Sequence, residues 1–214
     1  MRIRITFAKR GALRYTGNLD LYRIWERSAR RADLALAYSH GFHPQPKMQL
    51  AAALPLGFSS RCELLDMRID GEVDLATLPG RLQLAVPPGM EILKVEPVEE
   101  KSPPLQTQIL SAEYEVTFFD ATDEERLAAS LATFRALPGL VRERRGKTYD
   151  IRALVEELSL LPSDEQGHPR VFMRLAARPG ATGRPEELLD ALGVEYEGTR
   201  VERTRFIFKE PETH

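Results

Sequence analysis

Ser39-His40-Gly41-Phe42-His43-Pro44-Gln45-Pro46-Lys47 gathers two of the chain's four histidines, an aromatic ring and a lysine into one short run. Imidazoles titrate near neutrality, so the run could supply a general acid, a general base, an anion contact or metal ligands. Pro44 and Pro46 hold His43 and Gln45 in extended conformations, which makes the segment a stiff loop. Acid–base cleavage of RNA asks for a base, an acid and a cation, and His40, His43 and Lys47 are the candidates. A metal centre is not expected, because His40 and His43 lack a third ligand. Cys62 is the single cysteine, so an internal disulfide and an iron–sulfur cage built from this chain alone are excluded. A structured turn whose histidines hydrogen-bond locally is the plainer alternative.

A second constellation precedes it. Arg23, Arg27, Arg30 and Arg31 fall at i, i+4, i+7 and i+8, one face of a helix, with Leu21, Trp25, Ala29 and Ala32 on the other. Guanidinium forks suit phosphate oxygens, and Lys9, Arg10 and Arg14 lie in the segment that delivers the chain to this helix. A solvated outer face is the alternative, since Asp20 can pair with Arg23 and Glu26 with Arg30. Residues 1–47 hold ten Lys or Arg against three Asp or Glu, a surplus of seven positive charges in a chain whose total is −2. Such segregation attracts polyanions even when the whole chain is acidic. Tyr15, Tyr22, Tyr38 and Phe42 lie among these charges and could stack unpaired bases, which favours RNA over DNA. The nucleic-acid-binding set read here is Lys9, Arg10, Arg14, Arg23, Arg27, Arg30, Arg31 and Lys47.

The remaining features are weaker. Arg142, Arg144, Arg145 and Lys147 crowd a hairpin. Arg203 and Arg205 share one face of a strand, opposite Thr204, Phe206 and Phe208. Thr182-Gly183-Arg184-Pro185 opens a helix, where backbone amides can hold a phosphate. Walker-type, Gly-x-Gly-x-x-Gly, Gly-x-Ser-x-Gly and His-Glu-x-x-His signatures are absent.

These residues must be positioned by an α+β framework. At 214 residues, 43% apolar and 29% charged, the chain has the balance of a soluble protein with one large or two small domains. Its longest nearly apolar run, Leu50 to Phe58, is about half of a bilayer crossing. Met1 leads straight into strand-like alternation rather than a signal peptide, so a cytoplasmic location is expected. Strands are expected over Arg2 to Ala8, Met48 to Ala53, Cys62 to Ile69 and Met90 to Val98. Helices fall between them, from Leu19, capped by Asn18, to about Ala32, and over Leu75 to Leu84. This β-α-β-β-α-β order is the split βαβ pattern of ferredoxin-like folds. Pro97 to Gln106 has linker composition. The order then recurs, with strands over Ser111 to Phe119, Tyr149 to Leu160, Arg170 to Ala177 and Thr199 to Phe208. Helices run over Asp123 to Leu137 and Pro185 to Leu192. Two ferredoxin-like halves in tandem are expected, residues 1–98 with the basic helix and histidine loop, and residues 107–209.

The run Arg14-Tyr15-Thr16-Gly17-Asn18-Leu19-Asp20-Leu21, the helix segment from Glu26 to Ala32, Gly41-Phe42-His43-Pro44-Gln45-Pro46-Lys47 and Ala53-Leu54-Pro55-Leu56-Gly57 together resemble a bacterial family of radical-SAM-linked proteins of unknown function. The likeness is sharp over residues 1 to about 70. It is looser through Lys147-Thr148-Tyr149-Asp150-Ile151-Arg152, Gly183-Arg184-Pro185 and Arg203-Thr204. It implies a radical-SAM partner enzyme rather than a reaction of this domain. The chain has no Cys-x-x-x-Cys-x-x-Cys and is not itself that enzyme, so no cofactor is expected in it. Asn18 and Gln45 stand where the family pattern favours histidine, which weakens a catalytic role for the loop. The function expected is a non-enzymatic RNA-binding or substrate-presenting module working with a radical-SAM protein. A metal-independent endoribonuclease using the loop histidines, and a protein-interaction domain docking an acidic partner, are the alternatives.

Overall fold

Alternation of Ile3, Ile5 and Phe7 with Arg2, Arg4 and Thr6 does what a two-residue period dictates: β1 (Arg2–Lys9) buries the apolar series completely. The structure, a computed structural model, describes residues 1–120, 123–144, 146–194 and 198–210. The fold is α+β. The chain divides into two compact units, Met1–Gln108 and Ile109–His214.

In the first unit, β1 leads through a 3-10 turn (Gly11–Tyr15) to α1 (Asn18–Arg31), β2 (Met48–Leu50), β3 (Ser59–Arg68), α2 (Leu78–Ala85), β4 (Met90–Val98) and the single turn α3 (Leu105–Gln108). The strands lie in the order β4-β1-β3-β2, each antiparallel to its neighbour. Ile3, Ile5 and Phe7 with Leu65 and Met67 form one wall of the core, closed by Leu21, Trp25 and Ala29 from α1 and Leu78 and Leu82 from α2. Phe7 and Trp25 meet edge to face, ring centroids 4.9 Å apart.

The two helices also cap each other. Arg31 of α1 donates to the Ala85 carbonyl that ends α2. Arg81 of α2 donates to the Ala32 and Asp33 carbonyls that end α1. Each guanidinium thus satisfies carbonyls that a helix C-terminus leaves without partners.

Three local expectations need correction in this unit. Asn18 is the first helical residue rather than the cap: the Gly17 carbonyl accepts from Leu21 N at 2.9 Å, with no side-chain capping bond. The strand expected over Met48 to Ala53 ends at Leu50. The linker-like segment is fastened down. Arg2 donates to the carbonyls of Ser102 (2.7 Å) and Pro103 (3.0 Å), Leu105 N donates to Gln49 Oε1 (2.7 Å), and Leu105 is fully buried. Proline-rich composition signalled extended backbone correctly, but extended backbone leaves its carbonyls open, and a guanidinium collects them.

The second unit contains β5 (Ile109–Phe118), α4 (Glu124–Ala136), β6 (Val141–Arg144), β7 (Lys147–Asp150), β8 (Val155–Leu161), β9 (Arg170–Arg178), β10 (Ala181–Thr182), α5 (Pro185–Ala191) and β11 (Thr199–Phe208). Its strands are ordered β11-β5-β9-β8, again antiparallel, with β10 folding back on β9 and β6-β7 forming a separate hairpin. Asp123 caps α4 by accepting from Glu125 N and Arg126 N. The strand expected from Tyr149 to Leu160 is broken in two. Asp150 Oδ1 accepts from Leu140 N (2.8 Å) and Arg152 N (2.9 Å), and this turn ends β7 before β8 begins.

Asp66, only 4% exposed, sits on β3 between the guanidiniums of Arg2 and Arg4, each 2.7 Å away. Removing one partner of a buried charge cluster leaves the others uncompensated. Asp66→Ala is expected to cost about 3–5 kcal/mol, read as a lowered urea midpoint of the full chain.

Candidate nucleic-acid interface

The surface begins with α1, whose apolar stripe is spent on the core and whose arginines are therefore turned out. Arg23, Arg27, Arg30 and Arg31 are all exposed. Arg23 pairs with Asp20 and Arg30 with Glu26, both at 3.2 Å, with the two arginine side chains 73% and 72% exposed. Such exposed pairs are worth about 0–1 kcal/mol, so an incoming phosphate can displace them. Arg27 has no hydrogen-bond or ion-pair partner among the described residues. Arg31 is anchored on the Ala85 carbonyl.

The flanking cations divide. Lys9 is 1% exposed, and its ammonium donates to the Thr16 carbonyl at 2.9 Å. It belongs to the same alternating series as Ile3, Ile5 and Phe7, and it is removed from the binding surface. Arg10 is exposed beside Glu91 at 3.5 Å. Arg14 is half-buried, its guanidinium carbon 5.0 Å from the Tyr15 ring centre. Lys47 is exposed and without an ion-pair partner among the described residues.

The histidine loop is closed at its base. Ser39 N donates to the Gln45 carbonyl and Gln45 N to Ser39 Oγ, both at 2.9 Å. Tyr38 and Pro46 form a β-bridge below them. Gly41, at φ +130°, allows the reversal between these closures. Within the loop His40, Phe42 and His43 are exposed, Phe42 completely so. Neither imidazole has a hydrogen-bond partner among the described residues, so Ser39 and Gln45, not the histidines, hold the turn. The Tyr38 hydroxyl donates to Glu26 Oε1 at 3.4 Å, and Arg30 donates to the same oxygen. The base of the loop is thereby tied to the basic helix. The sequence marks both elements but not this tie. Its only signal was a tyrosine at the start of the loop.

No cluster of three or more His, Cys, Asp or Glu among the described residues could hold a metal ion. The weaker features of the second unit are accounted for by packing. Arg142 pairs with Asp190 at 2.9 Å and Arg144 with Glu187 at 2.8 Å, so these two hairpin cations face acids of α5, whereas Lys147 is exposed. Arg145 lies outside the described residues. Arg203 and Arg205 do not share a face. A register shift between them leaves Arg205 exposed and buries Arg203 between Tyr114 and Phe206, 5.5 and 4.8 Å from the ring centres. Gly183 is a close-approach glycine, since a Cβ there would meet the Leu154 carbonyl and Leu175 Cβ at 3.1 Å.

Residues 2–185 match the family described as "Uncharacterized protein conserved in bacteria (DUF2344)". No curated protein sequence matches the chain. Among solved structures the chain resembles part of a Cbf5-Nop10-Gar1 complex, with a TM-score of 0.49 and 14% identity over 98% of this chain. It spans 50% of that chain's length. A candidate glycine cleavage system transcriptional repressor aligns with a TM-score of 0.24 and 13% identity, covering 97% of this chain and 98% of that one. Among the described residues no helix is long and apolar enough to cross a membrane.

The hairpin contacts generate a pH dependence. Burial, then the hydrogen bond from the Tyr149 hydroxyl to Glu187 (2.6 Å), pushes the Tyr149 phenol up from 10.0 to about 12. The folded state holds this proton more tightly than the unfolded chain, so the stabilisation is complete below pH 10 and is lost as pH rises towards about 12. Tyr149→Phe is expected to abolish that alkaline loss, read by urea unfolding at a series of pH values.

Proposed function

The chain belongs to the DUF2344 family of bacterial proteins, and from that premise we propose that its first unit binds single-stranded RNA and presents it to a radical-SAM partner enzyme, without itself catalysing a reaction. The observation that carries this reading is Phe42. A fully exposed phenyl ring stands at the tip of a loop closed by hydrogen bonds, and the base of that loop is tied to the arginine face of α1. Burying such a ring would yield about 1.5–3 kcal/mol, so a closed loop that holds it in water is built for a partner outside the chain. Aromatic rings beside cations describe a single-strand surface: the guanidiniums track the backbone and the rings stack on bases. Arg23, Arg27 and Arg30 make the phosphate contacts, Arg10, Arg14 and Lys47 extend them, and Phe42 stacks.

In this reading both units are split βαβ, ferredoxin-like halves. The orders β4-β1-β3-β2 and β11-β5-β9-β8 support this, with the hairpin β6-β7 as an insertion in the second. The radical-SAM partner is supported by the resemblance of residues 14–57 to radical-SAM-linked proteins. The partner is proposed to supply any chemistry, because the exposed imidazoles of His40 and His43 have no hydrogen-bond partner among the described residues to orient them.

Fluorescence anisotropy with a labelled single-stranded RNA tests the reading. Affinity should fall steeply between about 50 and 200 mM salt, with a log–log slope of roughly −0.7 per phosphate contact. Arg27→Glu should flatten that slope. Phe42→Ala should cost about 1–3 kcal/mol with the slope unchanged, as for loss of one stacked base. Absence of binding at about 50 mM salt would defeat the proposal.

A further inference from the structure

The strap that follows β4 crosses above β3 and the start of β2, and between them lies a pocket of about 280 Å3 whose walls include Lys47, Met48, Asp66, Arg68, Ser102 and Pro104. Its charges are unequally committed. Asp66 is held by Arg2 and Arg4 together, so its negative charge is answered from within the protein. Arg68 pairs with the Glu100 carboxylate at the rim, where the two side chains are 41% and 49% exposed, and its Nη2 also donates to the Glu100 carbonyl at 3.2 Å. An exposed pair of this kind exchanges readily for a stronger anion. Lys47 is exposed, with no ion-pair partner among the described residues. Met48 and Pro104 add apolar surface.

We propose that this pocket binds the phosphate monoester of a single nucleotide, free or as the phosphorylated end of an RNA. A phosphomonoester carries close to two negative charges on three acceptor oxygens. Lys47 answers it as a point charge, Arg68 as a planar fork after leaving Glu100, and the Ser102 hydroxyl as a third donor. Met48 and Pro104 face the sugar and base. The volume lies just below the usual range of about 300–1,000 Å3 for small-molecule sites, so it suits one nucleotide rather than two. Lys47 also ends the Phe42 loop, so an RNA whose end is held here can continue onto the loop and α1. In that polymer form the inference rests on the RNA reading above, whereas the free nucleotide does not require it.

Calorimetric titration of the full chain with adenosine 5′-monophosphate and with adenosine reads the pocket directly. The nucleotide should bind at least about tenfold more tightly than the nucleoside, the gain from charge-assisted bonds. Lys47→Ala should remove about tenfold of that affinity, and Glu100→Gln should raise it by removing the carboxylate that competes for Arg68, an effect that a purely structural role for Glu100 would not produce. In the RNA assay, an oligonucleotide with a terminal phosphate should outcompete its hydroxyl-ended twin. Equal, weak binding of nucleotide and nucleoside, or a loss of affinity in Glu100→Gln, would overturn the proposal. Nucleotide binding without any RNA binding supports the pocket and sinks only the RNA reading. RNA binding indifferent to terminal phosphate and to adenosine 5′-monophosphate sinks only the pocket.

Discussion

A carboxylate that is almost wholly desolvated must be surrounded by donors, and Asp66 organises the first unit around that requirement. Arg4 meets it with two nitrogens, Nε at 2.7 Å and Nη2 at 3.0 Å, and Arg2 adds a third bond at 2.7 Å. Two guanidiniums carry more donors than one carboxylate can accept. The surplus on Arg2 reaches the Ser102 and Pro103 carbonyls and Arg4 reaches Gln108. One buried charge on β3 therefore fixes the outward residues of β1, fastens the chain after β4 and roofs the pocket beside Lys47. Buried charge clusters of this type are weak contributors to net stability but costly to break, so their value here lies in fixing one arrangement of these segments.

The helices answer a different constraint. With Leu21, Trp25 and Ala29 buried, α1 has one orientation available, and the reciprocal bonds of Arg31 and Arg81 hold its C-terminal end against that of α2. Arginines on such an element have fixed origins even though Arg23, Arg27 and Arg30 carry side chains that are exposed. The loop differs in kind, since its ends are pinned and its tip is exposed, which presents Phe42 without committing it.

Periodicity carried most of the architecture. The strand over Met90 to Val98 and that over Thr199 to Phe208 are legible to the residue, and α1 to within one residue at each end. Three of the errors turn on backbone partners or irregularities that the local pattern does not show. Lys9 follows the alternation of β1 inward, against the preference of its charge, because the Thr16 carbonyl waits for it. Arg203 and Arg205 part company because a bulge, invisible in the sequence, interrupts the period of β11. The break after Asp150 depends on Leu140 N, ten residues away. At the candidate interface the outward face of α1 and the stiffness of the loop were readable locally. The contact between Tyr38 and Glu26 was not, since only the tertiary fold brings residues of different elements within 3.4 Å.

The buried seat of Leu105 has a practical corollary for dissecting the molecule. Composition invites a cut near Val98, where the ordinary strands of the first unit finish. A fragment severed there would forfeit a completely enclosed leucine, the Gln49 amide's contact with it and the roof over Arg2. A fragment that keeps these contacts must instead run through Gln108.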